Sequence, residues 1–188
     1  MGNPSPDHQT DLYFIALVPT YKLRERVKAL KMEMKARFNT AKALNSPAHI
    51  TLQMPFKRRV DEEPYLLDTL QAIAENQKPF SVRLSGFDCF APRVIFVKVL
   101  DQEPIGSLHT QLQKVLTDKL GLNRKALSQN FHPHMTIANR DLSVEAFHKA
   151  WGEFEKREFE ASFLANSLFL LKHNGKSWEI HREFRFKT

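Results

Sequence analysis

The feature that most constrains the fold is an order of hydrophobic patterns that occurs twice along the chain. Each unit reads as a strand, an amphipathic helix, a strand carrying His-x-Thr, a second helix and a third strand. The units cover about residues 12–87 and 93–171, and a closing strand at 176–186 follows the turn signal Asn174-Gly175. We therefore predict an α+β protein with two lobes related by a pseudo-two-fold axis.

Each lobe is expected to contain an antiparallel-rich sheet with helices packed outside it, and the lobes are expected to enclose a central cleft. Local signals support the helices: Pro64 near one start, Ser143 as an N-cap, Gly121 as a C-terminal stop. The first helix carries Lys and Arg between its apolar positions, which predicts a basic outer face. No linker or low-complexity segment separates the units, so we predict one domain over 1–188, with 1–10 as a flexible leader.

Composition narrows the function classes. The 188 residues include 28 Lys and Arg against 21 Asp and Glu, a net charge of +7, which favours anionic partners such as nucleic acid or nucleotides. The single cysteine, Cys89, excludes an intramolecular disulfide and a cysteine-based zinc cluster. No apolar run approaches the roughly 20 residues of a membrane span, and the N-terminus lacks a secretory signal pattern. We expect a cytoplasmic monomer with no membrane association and no obligate protein partner.

The two His-x-Thr stretches are the strongest candidates for chemistry. Residues two apart on a strand share a face, so His49 and Thr51 lie side by side, as do His134 and Thr136. A histidine near its usual pKa of about 6.5 acts as acid or base at neutral pH. One imidazole could take a proton from a nucleophile while the other protonates the leaving oxygen, and the hydroxyls would donate to phosphate oxygens. This set suits a phosphodiester and requires no metal or other cofactor.

These stretches, "HITLQM" and "HPHMTI", resemble the twin motifs of the 2H phosphoesterase superfamily, typified by 2′-5′ RNA ligase-like proteins and cyclic nucleotide phosphodiesterases. The segments "LYFIALVP" and "NSLFLLKHNGKSWEIHREFRF" are similar to the family's opening strand and closing hairpin. The resemblance implies a bilobal fold and metal-independent hydrolysis of a 2′,3′-cyclic phosphate or related ester on an RNA end or nucleotide. It also implies that His49 and His134 are the acid/base pair and that Thr51 and Thr136 hold the phosphate. Some members follow the second motif at once with a basic residue, whereas this chain has Asn139 there.

Other side chains near the motifs are candidates for substrate binding. Gln53 shares the predicted face of His49, Phe56 could stack on a base, and Lys57 could meet a phosphate. His132 shares the face of His134, and two basic residues could reach an anionic substrate. The full set is Gln53, Phe56, Lys57, Arg93, His132 and Arg140.

Several alternatives stay open at this stage. Each motif histidine could be a structural residue satisfied by a backbone carbonyl, and His132 with His134 could form a metal pair with Asp141 as third ligand. His8-Gln9-Thr10 is a third match, which we discount because it lacks apolar neighbours. At the level of function, the alternatives to hydrolysis are a non-catalytic nucleotide or RNA-end binding module, and 2′-5′ RNA end joining by the reverse reaction.

Overall fold

A computed structural model describes residues 9–122 and 131–187, which form two four-stranded antiparallel sheets with four α-helices and two short 3-10 helices, Lys42–Asn45 and Val60–Glu62. The strands are β1 (Thr10–Leu17), β2 (Ile50–Arg59), β3 (Phe80–Phe90), β4 (Val94–Val99), β5 (His134–Ala138), β6 (Glu160–Ala165), β7 (Ser167–His173) and β8 (Trp178–Arg185). The helices are α1 (Tyr21–Phe38), α2 (Glu63–Glu75), α3 (Gln102–Leu120) and α4 (Val144–Phe154). The predicted α+β class is confirmed.

The two sheets exchange strands between the two sequence units. The first sheet has the order β2-β1-β7-β8, and the second has the order β5-β4-β3-β6. The third strand of the first unit, β3, therefore pairs with β4 in the second sheet, while β7 pairs with β1 in the first. The units 12–87 and 93–171 consequently do not each form one lobe, as the sequence pattern had suggested. The third strand predicted at the end of the second unit, near residue 171, is in fact two strands, β6 and β7, one in each sheet.

The helix ends follow their sequence signals. The Ser143 hydroxyl accepts a hydrogen bond from the Ala146 amide at 3.1 Å and caps α4. Gly121 ends α3 with a φ of +63°, a left-handed conformation that glycine adopts without steric cost. Pro64 lies in the first turn of α2, where its missing amide hydrogen has no helical partner to lose.

The apolar core lies mainly between the sheets and the helices. The inward faces of α1, α2, α3 and α4 pack with one face of each sheet into a single large cluster. A small second cluster, Phe14, Ala16, Val18 and Leu171, covers the opposite face of the first sheet, with Phe169 and Trp178 against it. The first sheet is therefore apolar on both faces, and its second face is the one that Thr51 shares, because Thr51 pairs with Ala16.

The termini of the predicted elements shift slightly. β1 begins at Thr10, two residues before the predicted strand, so the end of the predicted leader belongs to the sheet. The rest of that leader, residues 1–8, including His8 of the third His-x-Thr match, lies outside the described residues. Among the described residues, no helix has both the length and the apolar character to cross a bilayer.

Candidate active site

The two His-x-Thr segments lie on neighbouring strands from different sheets. β2 and β5 are each the outer strand of a sheet, and they contact one another. His49 immediately precedes β2, and His134 is the first residue of β5. The two histidines and the two threonines are all partly buried. The fold thus brings together the two pairs that the sequence predicted as one site.

Both imidazoles are held by the same backbone contact. Nδ1 of His49 lies 2.8 Å from the Pro47 carbonyl oxygen, and Nδ1 of His134 lies 2.7 Å from the His132 carbonyl oxygen. Because a carbonyl oxygen only accepts hydrogen bonds, Nδ1 must carry the proton in both rings. Nε2 is then the nitrogen that can take up or release a proton. The carbonyl contact expected of a structural histidine is present, and it also fixes the tautomer that acid/base chemistry needs.

A β-bulge follows the threonine in both motifs. Ala16 pairs with Thr51 and Ile15 with Gln53, so Leu52 is the extra residue; Phe96 pairs with Thr136 and Ile95 with Ala138, so Ile137 is the extra residue. The bulge ends the alternation of faces at the same place in each copy. This match in backbone detail supports a pseudo-two-fold relation between the two half-sites, His49 with Thr51 and His134 with Thr136.

The surroundings of His49 disfavour its charged form. Its ring centre lies 4.8 Å from that of Phe14. The pKa of His49 is lowered to about 4, mainly by burial. The hydrogen bond to the Pro47 carbonyl opposes this shift, and the nearby positive charges of Lys31 and His134 add to it. His49 is therefore neutral at pH 7 when no ligand is bound.

His134 lies among aromatic rings. Its ring centre is 5.1 Å from that of Phe90 and 4.9 Å from that of Phe96, and the His132 ring stacks at 6.5 Å. Burial also lowers the pKa of His134 below its usual value, and charge on His132 lowers it further, against the hydrogen bond to the His132 carbonyl. A bound phosphate would favour the protonated form of either ring by placing negative charge beside it.

Two predicted substrate-binding residues are buried instead, and those predictions are wrong. Gln53 is 3% exposed, and its side-chain oxygen accepts a 2.8 Å hydrogen bond from Gln113 of α3. The bulge at Leu52 turns it away from the face of His49. Phe56 is 9% exposed and packs against Tyr13, because β2 continues to Arg59 instead of ending after the motif.

The other candidates are exposed or lie at the rim. Lys57 is exposed eight residues beyond His49 along β2, roughly 25 Å away at the rise of an extended strand, which is too far to share one phosphate. Arg93 and Arg140 are both exposed, and the register places them at the end of the β4–β5 pair away from His134. His132 is partly buried beside His134, as predicted. Binding by Arg93, Arg140 and His132 stays a prediction.

The sequence reasoning missed several residues at the site. Three aromatic rings pack on the motif histidines: Phe14, Phe90 and Phe96. The sequence pattern predicted these residues only as part of the core. Lys98 pairs with His134 across β4 and β5 and therefore shares its face. The sequence did contain a sign of this position, because Lys98 is a charged residue within the otherwise apolar run "VIFVKV". Lys31 belongs to the first helix, whose lysines and arginines were predicted to form a basic outer face, but it is 3% exposed.

The alternative metal site lacks its third ligand. Asp141 accepts hydrogen bonds from the Thr40 hydroxyl at 2.6 Å and from the Ala41 and Lys42 amides at 2.8 and 3.0 Å. It thus ties the segment after β5 to the segment after α1. Among the described residues, no three histidine, cysteine or carboxylate side chains gather in a way that would bind a metal ion.

Comparison with known families agrees with this geometry. The family model described as the 2′-5′ RNA ligase superfamily matches residues 19–177, which include both motifs. A protein of Bacillus licheniformis named "Putative phosphoesterase" is 28% identical over 177 residues, covering 92% of this chain and 96% of that protein. A "Putative phosphoesterase" of Bacillus cereus is 25% identical over 175 residues, covering 91% and 94%.

Solved structures share the fold. TT0787 of Thermus thermophilus superposes with a TM-score of 0.66 at 19% identity, covering 93% of this chain and 97% of that one. The ligand-free form of LigT from E. coli gives a TM-score of 0.66 at 16% identity, covering 96% and 99%. These similarities confirm the two-lobe architecture predicted from the repeated pattern.

Proposed function

This chain belongs to the 2′-5′ RNA ligase superfamily, and on that premise we propose that it is a phosphoesterase that hydrolyses a 2′,3′-cyclic phosphate on an RNA end or small nucleotide. Membership of this superfamily makes the chain a phosphoesterase of the 2H kind. The proposed substrate and mechanism depend mainly on one observation: two imidazoles are held in the same tautomer at the starts of adjoining edge strands, each with a threonine hydroxyl beside it.

The proposed reaction assigns one step to each histidine. One neutral imidazole takes a proton from water through Nε2 as the oxygen attacks phosphorus. The other, protonated, gives its proton to the ribose oxygen as the P–O bond to that oxygen breaks. The product is a ribose monophosphate. In the reaction one ring gains a proton and the other loses one. Thr51 and Thr136 donate to the non-bridging oxygens, which stay charged throughout.

A structural neighbour gives further support for a nucleotide phosphate. LigT of E. coli has been crystallised with 3′-AMP and with phosphate. A nucleoside 3′-phosphate is what opening of a 2′,3′-cyclic phosphate leaves when the 2′ oxygen departs. The net charge of +7 is consistent with an anionic substrate.

The test is turnover of a panel of nucleoside 2′,3′-cyclic monophosphates with EDTA present. We expect His49→Ala and His134→Ala each to lower kcat/KM by about a hundredfold or more, the usual loss when acid/base catalysis is removed. His148→Ala is the control, because His148 is exposed on α4. Binding of cyclic nucleotides without turnover would instead indicate a binding module, and loss of activity with EDTA would refute the metal-independent mechanism.

A further inference from the structure

A cavity of about 310 Å³ lies beside the His49 half-site. Its walls come from the first half of α1, from the loop 44–48 that leads to His49, and from the start of β8. Trp178 on its wall packs edge-on against Phe14, with ring centres 4.7 Å apart, and Phe14 in turn contacts His49. The cavity therefore adjoins the catalytic site without containing either histidine.

The cavity is basic because one face of α1 lines it. Arg24, Lys28 and Lys31 follow one another at spacings of four and three, which places them on the same helix face. Among the described residues of the lining, Glu25 is the one carboxylate, and it lies 3.7 Å from Lys28. Three cations against one anion make this wall attractive to a phosphate.

Two of these cations are incompletely satisfied. Lys31 is 3% exposed and donates to the Ser46 carbonyl at 3.0 Å; within 9–122 and 131–187, no carboxylate pairs with it. The Nε atom of Arg24 is buried and has no hydrogen-bond partner in the described part of the chain. Burying a cation without a counter-charge is unfavourable, so an anion in the cavity would relieve a cost already present in the folded protein.

Aromatic side chains stand beside the cations. Tyr21 is 69% exposed, although it begins the helix whose apolar side is in the core, and Trp178 faces the same space from β8. Flat aromatic surfaces beside Lys and Arg are the usual means of holding an unstacked base next to its phosphate. The volume also falls at the lower end of the range of small-molecule sites.

We infer that this cavity holds the penultimate nucleotide of an RNA end, with the internucleotide phosphate against Arg24 and Lys28 and the base against Tyr21 or Trp178. The inference rests on the proposed function, because it takes the terminal cyclic phosphate to lie at His49 and His134. It assigns the cavity as a second nucleotide subsite that adjoins the catalytic one.

The test compares two substrates: adenosine 2′,3′-cyclic monophosphate, and the adenylyl-adenosine dinucleotide that ends in a 2′,3′-cyclic phosphate. We expect the wild-type kcat/KM to be about tenfold or more higher for the dinucleotide, the scale of one charge-assisted contact. Arg24→Ala and Lys28→Ala should each lower that ratio severalfold. Lys22→Ala should not, because Lys22 is exposed on the same helix but does not line the cavity.

The outcomes separate this site from the proposed function. Turnover of both substrates at similar kcat/KM, or a dinucleotide preference that Arg24→Ala and Lys28→Ala leave intact, overturns the site while the phosphoesterase stands. If neither substrate turns over, the proposed function fails, and calorimetric binding of the ring-opened dinucleotide 3′-phosphate decides the site. The site is supported if the dinucleotide 3′-phosphate binds more tightly than 3′-AMP and if Lys28→Ala weakens that binding. Equal affinity for the two ligands overturns the site.

Discussion

The two half-sites, His49 with Thr51 and His134 with Thr136, have the same backbone geometry but different surrounding side chains. In both, a histidine lies at the start of an outer strand, directly before β2 or as the first residue of β5, and its Nδ1 is held by the carbonyl two residues earlier. In both, a bulge follows the threonine. Around His49 the neighbours are one aromatic ring and a buried lysine; around His134 they are two phenylalanines and a second histidine. The shared backbone contacts hold both imidazole rings in the same orientation, and the different neighbouring side chains give the two rings different pKa shifts.

The largest expected effect, on kcat/KM, tests whether the two half-sites hold the phosphate equally. Thr51→Val and Thr136→Val keep the side-chain shape but remove a hydroxyl donor, so each should lower kcat/KM for a cyclic nucleotide by on the order of a hundredfold. Steady-state kinetics would measure this, with Thr110→Val as the control, because Thr110 is exposed on α3. A large loss in one variant alone would show that only one half-site holds the phosphate.

A second effect tests the difference in surroundings through stability. The pKa of His49 is about 4 in the folded protein and about 6.5 when unfolded, so the unfolded chain binds more protons between these pH values. The free energy of unfolding should therefore fall as pH drops from 6.5 to 4, with His49 contributing up to about 3 kcal/mol of that loss.

Urea unfolding at several pH values would measure this loss in wild type, His49→Gln and His134→Gln. His49→Gln should flatten the acid dependence more than His134→Gln, because the pKa of His49 is lowered further. Equal slopes in the two variants would contradict the idea that surroundings distinguish the half-sites.

The smallest expected effect concerns Lys31 alone. Because its charge lowers the pKa of His49, Lys31→Met should raise that pKa by a small amount, while the pKa of His134 should not follow. NMR titration of the imidazole signals would record both rings in one experiment. Lys35→Met is the matched control, since Lys35 is exposed on the same helix. A downward shift at His49 would mean that Lys31 acts mainly by holding the loop at Ser46.

Features set by local chemistry were predictable from the sequence. The starts and ends of helices at Pro64, Ser143 and Gly121 depend on residues within one turn, and the hairpin at Asn174-Gly175 depends on two. The pairing of the two histidines was predictable because the order of elements repeats. That prediction needed no knowledge of which strands are neighbours.

Features set by distant partners were not predictable in the same way. Strict alternation placed Gln53 beside His49, but the bulge at Leu52 exists only because β1 pairs across it, and Gln113 arrives from α3 to satisfy the amide. Lys31 looked like part of a solvated basic face, and the loop at 42–48 buries it. In each case a segment remote in sequence decided the environment.

The exchange of β3 and β7 between the sheets has a consequence for how the chain is made. During synthesis β1 and β2 emerge early, but the other edge of β1 stays unpaired until residues 167–173 have left the ribosome. An open edge on a strand that is apolar on both faces invites pairing with other chains. The first sheet must therefore be completed late, by β7 and β8 at residues 167–185 of 188, and neither half of the protein contains a whole sheet by itself.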